Sequence, residues 1–173
     1  MMLDHLRRLA RYNEWANRRL HAACRALPPE EYHRPRPAFF GSIHGTLSHL
    51  LVGDRLWLDR LAGRPPRHAR LDEQPWATLD ELDAARRAGD DEIAAAVAGL
   101  TEADLRRELH YATTSGQPQV TPVADVLLHV FNHQTHHRGQ VHDQLSQTNV
   151  PPPPLDLIFF LREEQRQQQQ GPA

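Results

Sequence analysis

Apolar residues recur at helical spacing along most of the chain, and prolines and glycines break the pattern into segments. Leu6, Leu9, Ala10, Trp15, Leu20, Ala23 and Leu27 mostly follow intervals of three and four, which predicts a first helix over 3–27 stopped by Pro28-Pro29. Prolines 28, 29, 35 and 37 make 28–40 largely irregular. Ser42 is placed to cap a second helix that runs to about Ala62 and ends at Gly63, with Ile43, Leu47, Leu50, Leu51, Leu58 and Leu61 inward. An Arg- and Pro-rich loop over 63–77 follows. A third helix starts near Thr78 or Asp80 and reaches about Gly99, with Leu79, Leu82, Ile93 and Val97 on its apolar side. Thr101–Asp104 reads as a turn. Residues 108–120 suggest an extended excursion or β-hairpin turning at Ser115-Gly116. Thr121-Pro122 opens a fourth helix, Thr as N-cap and Pro at the first helical position, and that helix ends before Asn149. Pro151–Pro154 forbids its continuation. A short last helix is expected over Leu155–Glu164, then a frayed low-complexity tail. The expectation is an all-α protein: one four-helix bundle over 1–164 with long connections, and a tail over 165–173.

Composition narrows the function classes. The 173 residues fit one domain. Twenty basic residues against 22 acidic ones leave a net charge of −2, which gives no drive toward nucleic acid or anionic membrane. Neither an export signal nor a run long enough to span a membrane stands out, so a soluble cytoplasmic protein is expected. The single cysteine, Cys24, excludes an intrachain disulfide or thiolate cluster and reads as a small buried residue.

Histidine is the unusual component: there are 12, five of them between 129 and 142. His133 and His137 are four apart, one turn above each other on the same helical face. The steps Val126, Val130, His133, His137, Val141 continue an apolar stripe, so both rings should point into the bundle. Two imidazoles there can converge on one metal ion. His129/His133 has the same spacing, and His136 with Gln140 is a further competitor. A third ligand must come from elsewhere, and His49, flanked by apolar residues of the second helix, suits an interior position. His44 next to Gly45 suits a surface or capping position. Spacing alone does not separate a metal site from satisfied core or surface histidines. Position 134 is Gln, so the glutamate of the zincin H-E-x-x-H motif is missing and a protease of that type is excluded.

Several motifs resemble the DinB family of DinB/YfiT-like metalloproteins. They are Tyr12-Asn13-Glu14-Trp15-Ala16-Asn17, Gly41-Ser42-Ile43, Thr46-Leu47-Ser48-His49-Leu50, the positions Asp54, Trp57 and Leu58, then His129-Val130-Phe131-Asn132-His133 and His136-His137-Arg138-Gly139-Gln140. The resemblance spans about Leu6 to Leu145. It implies a four-helix bundle with a non-standard helix order and a metal held by three histidines, matched here by His49, His133 and His137. It also implies a homodimer, and zinc, nickel or iron as the metal. Characterised relatives imply activity with low-molecular-weight thiols such as bacillithiol or mycothiol, as transferases or isomerases. Three histidines leave a coordination position open, which suits thiolate activation in a thiol transferase or water activation in a hydrolase. Asp54 and Asp125 are the carboxylates nearest the ligands in sequence. Either can accept the second ring N–H of a ligand. Asp54 can instead pair with an arginine, and Asp125 can instead serve the helix dipole. Arg138 is expected in a salt bridge, ahead of binding a substrate carboxylate. Trp57, Trp15 and Tyr12 are expected in the core first and as pocket walls second.

Overall fold

A computed structural model describes residues 1–170. The low-complexity tail expected over 165–173 lies partly, at 171–173, outside the described residues. Four long helices form the body: α1 (Met2–Cys24), α3 (Ile43–Leu61), α4 (Leu79–Ala98) and α5 (Val123–Ser146). A short α2 (Pro29–His33), a hairpin β1 (Glu108–Ala112) and β2 (Pro118–Pro122), and a last helix α6 (Leu157–Gln169) complete it. α1 packs on α4 and α5, and α3 packs on α4 and α5. The first two long helices, α1 and α3, therefore stand diagonally opposite, the non-standard order that long connections permit. Among the described residues no helix is long and apolar enough to cross a membrane.

Local chemistry sets the boundaries. Ser42 accepts the Gly45 N–H at 3.0 Å and starts α3. Thr78 and Glu81 form a reciprocal capping box that starts α4. α1 ends one turn earlier than expected, at Cys24. Within the irregular 28–40 stretch, Pro29 begins one helical turn, where its missing N–H costs nothing. The start of α5 also departs from expectation. Thr121 and Pro122 remain in β2, paired with Leu109 and Glu108, so Pro122 itself is the cap and Val123 N–H donates to Arg107 O at 2.9 Å. Continuous strand pairing holds both residues extended. The hairpin turns where expected, with Gly116 at φ 82°. Its β1 strand is tied to α3, where the Arg60 guanidinium lies over Trp57 and Tyr111 and donates to Ala112 O at 2.7 Å. α6 reaches Gln169, past the expected Glu164, and Glu163 and Glu164 anchor it on α1 through Trp15, Arg19 and Arg11.

Two apolar clusters fill the bundle. One joins Leu20, Cys24, Ile43, Leu50, Leu51, Leu82, Val141 and Leu145. The other joins Leu6, Ala10, Leu58, Ile93, Val97, Val123, Leu127 and Phe131. Cys24 is a buried free thiol, its pKa pushed up to about 12 by burial, in line with an inert packing role. On every long helix, polar residues interrupt the apolar stripe between the two clusters: Asn13 and Asn17, Asp54, Arg86 and Asp90, Gln134 and Arg138. All seven are buried.

Candidate metal centre

α5 carries His133 and His137 at one-turn spacing, and α3 packs against it carrying His49. The three rings converge. Their centroids are 4.4 Å (His133–His137), 4.6 Å (His49–His137) and 5.1 Å (His49–His133) apart. One nitrogen from each lies within 4.8 Å of the others. His49 Nε2 and His133 Nε2 are 3.1 Å apart. Two nitrogens on a tetrahedral ion at 2.0–2.1 Å bond length would be separated by about 3.3 Å, so the pair is nearly at ligand spacing already. Gly53, one turn beyond His49, makes room: a Cβ there would approach His133 Cε1 to 3.3 Å.

The outward nitrogens of two rings are committed. His49 Nδ1–H donates to Leu71 O at 2.9 Å, and His137 Nδ1–H donates to Gln140 Oε1 at 2.7 Å. A ring that donates from Nδ1 presents the Nε2 lone pair, so these bonds select the ligating tautomer. Leu71 is placed by a loop that Glu73 folds on itself, accepting the Ala69 and Arg70 N–H groups at 2.8 Å each. Burial disfavours charge on the rings and lowers the pKa of His49 to about 4 and of His133 to about 3, the latter helped by neighbouring histidines. His137 is lowered as well, again by burial. All three rings are therefore neutral at pH 7, the form that binds metal.

One side of the cluster is covered and another is open. The Phe40 ring stacks on His49, centroids 3.8 Å apart and planes 17° from parallel. Beyond it lies an open pocket of about 620 Å³ above His49 and His137, bounded by Phe39, Phe40, Leu71, Asp72, His136 and Gln140.

The remaining site residues foreseen from sequence fall elsewhere. Asp125 is exposed in the first turn of α5, two turns from His133, where it serves the helix dipole and meets no ligand ring. Asp54 is buried but touches no histidine: its Oδ2 accepts from Arg86 Nη1 at 2.6 Å and from Gln134 Nε2. Arg138 forms no salt bridge among the described residues. Its Nη1 donates to the amide oxygens of Asn13, Asn17 (3.3 Å) and Gln134 (3.2 Å), and its guanidinium lies over Tyr12. Trp57 packs on Tyr111 and His129, one ring removed from His133. Tyr12 and Trp15 pack with Phe160 of α6, away from the histidine pocket, and Trp15 and Phe160 line a separate cleft between α1 and α6. His136 is exposed, its Nε2 3.2 Å from Gln140 Nε2. His44, expected at the surface, is buried and sits 3.1 Å from the Tyr32 hydroxyl, because α2 folds over the start of α3.

Sequence reasoning missed the buried layer that Asp54 and Arg138 join. Asn13 and Asn17 donate to Asp90 Oδ1 at 3.1 and 3.0 Å, and Arg86 Nη2 lies 3.1 Å from the same oxygen. Two carboxylates thus face the Arg86 guanidinium, and the Asn13, Asn17 and Gln134 amides link them to the Arg138 guanidinium. Burial pushes the Asp54 carboxyl up to about 6 against the pull of Arg86. Burial works against the Arg86 charge, yet Asp90 and Asp54 hold it above its ordinary value. A signal was available: three helices carry polar residues four apart on the inward face, at 13/17, 86/90 and 134/138. Phe40 and Leu71 gave no such signal, since both lie in connecting segments.

A three-histidine cluster between two helices of a diagonally connected bundle defines a class of helical scaffold able to hold a metal ion. Comparison with known proteins makes the class specific. The DinB family pattern matches residues 2–170, and the chain belongs to the DinB family. It is 30% identical over 162 residues to Protein DinB of Bacillus subtilis (strain 168), covering 90% of this chain and 92% of that one. Its fold is similar to the crystal structure of a DinB-like protein from Bacillus cereus ATCC 10987, with a TM-score of 0.62 at 18% identity over 81% of this chain and 90% of the other.

Proposed function

We propose that the chain holds one divalent transition-metal ion on His49, His133 and His137 and uses its open side as a metal-dependent enzyme, of thiol-transferase or hydrolase type. The observation that carries the reading is the convergence of three imidazoles, two of which, His49 and His137, have their Nε2 lone pairs freed by the Leu71 and Gln140 bonds. A purely structural zinc site is closed by four protein ligands, whereas this one faces a pocket. An ion bound there would hold a thiol as its thiolate or lower the pKa of a water toward about 7. Imidazole donors suit zinc, nickel and iron alike.

The protein's own groups set the rest. Leu71 O and Gln140 Oε1 fix the ring planes. Phe40 shields one face of His49 from water. Gln134, in the position where zincins carry a general base, turns away to Asp54, so it takes no proton from the pocket. His136 and Asp72 are the pocket groups able to accept one.

Elemental analysis of protein purified without a His-tag tests the metal: about one equivalent is expected, and a protein that contains none and takes none up defeats the reading. A panel of bacillithiol, mycothiol and glutathione with an electrophilic acceptor tests the activity. Stoichiometric metal with no turnover of any thiol, and no hydrolysis of activated esters, would leave a metal-binding bundle without catalysis.

A further inference from the structure

Phe39 is 89% exposed, an apolar ring held in water beside the proposed metal pocket. Single exposed apolar residues are ordinary. Three things set this one apart. It is continuous with apolar lining, meeting Phe40 edge-on at 4.9 Å, with Leu71 in the same pocket. Its backbone is fixed. Arg36 N–H donates to Gly41 O at 2.7 Å, Gly41 N–H to Ala38 O at 2.9 Å and Ser42 N–H to Phe40 O at 2.9 Å, with Gly41 at φ 74°. Gly45 lets this turn close on α3, since a Cβ there would lie 2.1 Å from Phe40 O. Finally, among the described residues the pocket lining includes no arginine and one carboxylate, Asp72, which is already paired with Arg70 at 2.8 Å.

We infer that Phe39 and Phe40 form a rigid aromatic wall that selects ligands bearing a flat apolar group next to the atom that meets the metal and no charge beyond that atom. The inference rests on the metal reading above. Phe40 is committed to His49, so Phe39 is the face left for the ligand. A pocket of about 620 Å³ is of small-molecule size. Among the described residues no cationic side chain in the lining adds to the charge of the ion, so further carboxylates on a ligand gain no partner there.

The test uses the full chain loaded with cobalt(II) and three thiols: benzyl mercaptan, 2-mercaptoethanol and mercaptosuccinate. Binding forms a sulfur–cobalt bond and releases the thiol proton to the buffer. It is read from the sulfur-to-cobalt charge-transfer band. Benzyl mercaptan should bind about tenfold more tightly than 2-mercaptoethanol, with mercaptosuccinate weakest. Phe39→Ala should remove that advantage, Phe39→Tyr should keep it, and neither should move 2-mercaptoethanol by more than about twofold. Phe39→Ala should melt like wild type, because the ring touches little of the fold. Equal benzyl mercaptan affinity in wild type and Phe39→Ala overturns the wall, as does preference for mercaptosuccinate. Cobalt bound with either of those results sinks the wall alone. Failure to bind cobalt sinks the metal reading and the wall with it.

Discussion

The charged layer across the bundle and the histidine cluster beside it share α3 and α5, and Gln134 and Arg138 alternate with His133 and His137 along one helix. Both regions put polar groups where apolar ones would pack, at opposite states of completion. In the layer, Asp54 and Asp90 face Arg86, and the amides of Asn13, Asn17 and Gln134 connect those carboxylates to Arg138. All four long helices contribute, and the charges balance. In the cluster, the protein bonds only the outer nitrogens of His49 and His137, and the inner ones face one another at a pocket. A buried group that is paired within the protein serves architecture. Ring nitrogens that face one another beside a pocket are available to a ligand. The difference also shows why one helix can do both: residues one position apart lie about 100° apart on it, so adjacent residues serve separate networks.

Breaking the layer should have the largest effect on the fold. In urea unfolding of metal-free protein, Asp54→Ala should cost about 3–5 kcal/mol, since it strands the buried Arg86 charge, and Arg138→Met about 1–3 kcal/mol, since it strands buried amide oxygens. A loss under about 1 kcal/mol would mean the layer is not coupled as described. The cluster should behave the other way. His49→Ala and His133→Ala should each abolish one-to-one metal uptake and the rise in melting temperature that metal brings, while changing metal-free stability by no more than about 1 kcal/mol. Retained uptake in either would show a different ligand set.

Gln140→Ala should weaken metal about 10–100-fold without abolishing it, because it removes only the orientation of His137. Competition with a chelator measures this, and unchanged affinity would deny Gln140 its role. The acid response of metal-free protein separates the regions further. His49 and His133 are held neutral in the fold but charge in the unfolded chain below about 6.5, so they contribute a stability loss as pH falls from about 6.5 toward 4. Asp54, raised to about 6, works in the opposite sense between 6 and its ordinary value. The comparison of wild type with His133→Ala isolates the first effect: the variant should gain on wild type as pH drops through that window, and parallel melting profiles would refute it. The smallest effect is expected for His136→Ala, which should largely spare metal binding. A loss equal to that of His133→Ala would move the site.

Much of this was visible one residue at a time. The helices over α1, α3, α4 and α5 follow from apolar spacing and from Ser42 and Thr78 as caps, all local properties. His133 and His137 sharing an inward face follows from the same periodicity. His49 was chosen for its apolar surroundings and matched by family resemblance. Asp125 and Arg138 were less readable because nearness in sequence does not measure distance or partner identity across a bundle. The start of α5 slipped by one residue because strand pairing outweighed the local preference of Thr-Pro.

What the sequence by itself determined is a helical DinB-type bundle with two histidines aimed inward, since turn geometry and stripe depend only on residues within a few positions. Which of the 12 histidines meet, which carbonyl and amide select their tautomers, and which phenylalanine covers them were decided only by the tertiary structure. Those contacts join α3, α5 and two connecting loops, and their distances depend on how helices pack and loops close, which no local period encodes.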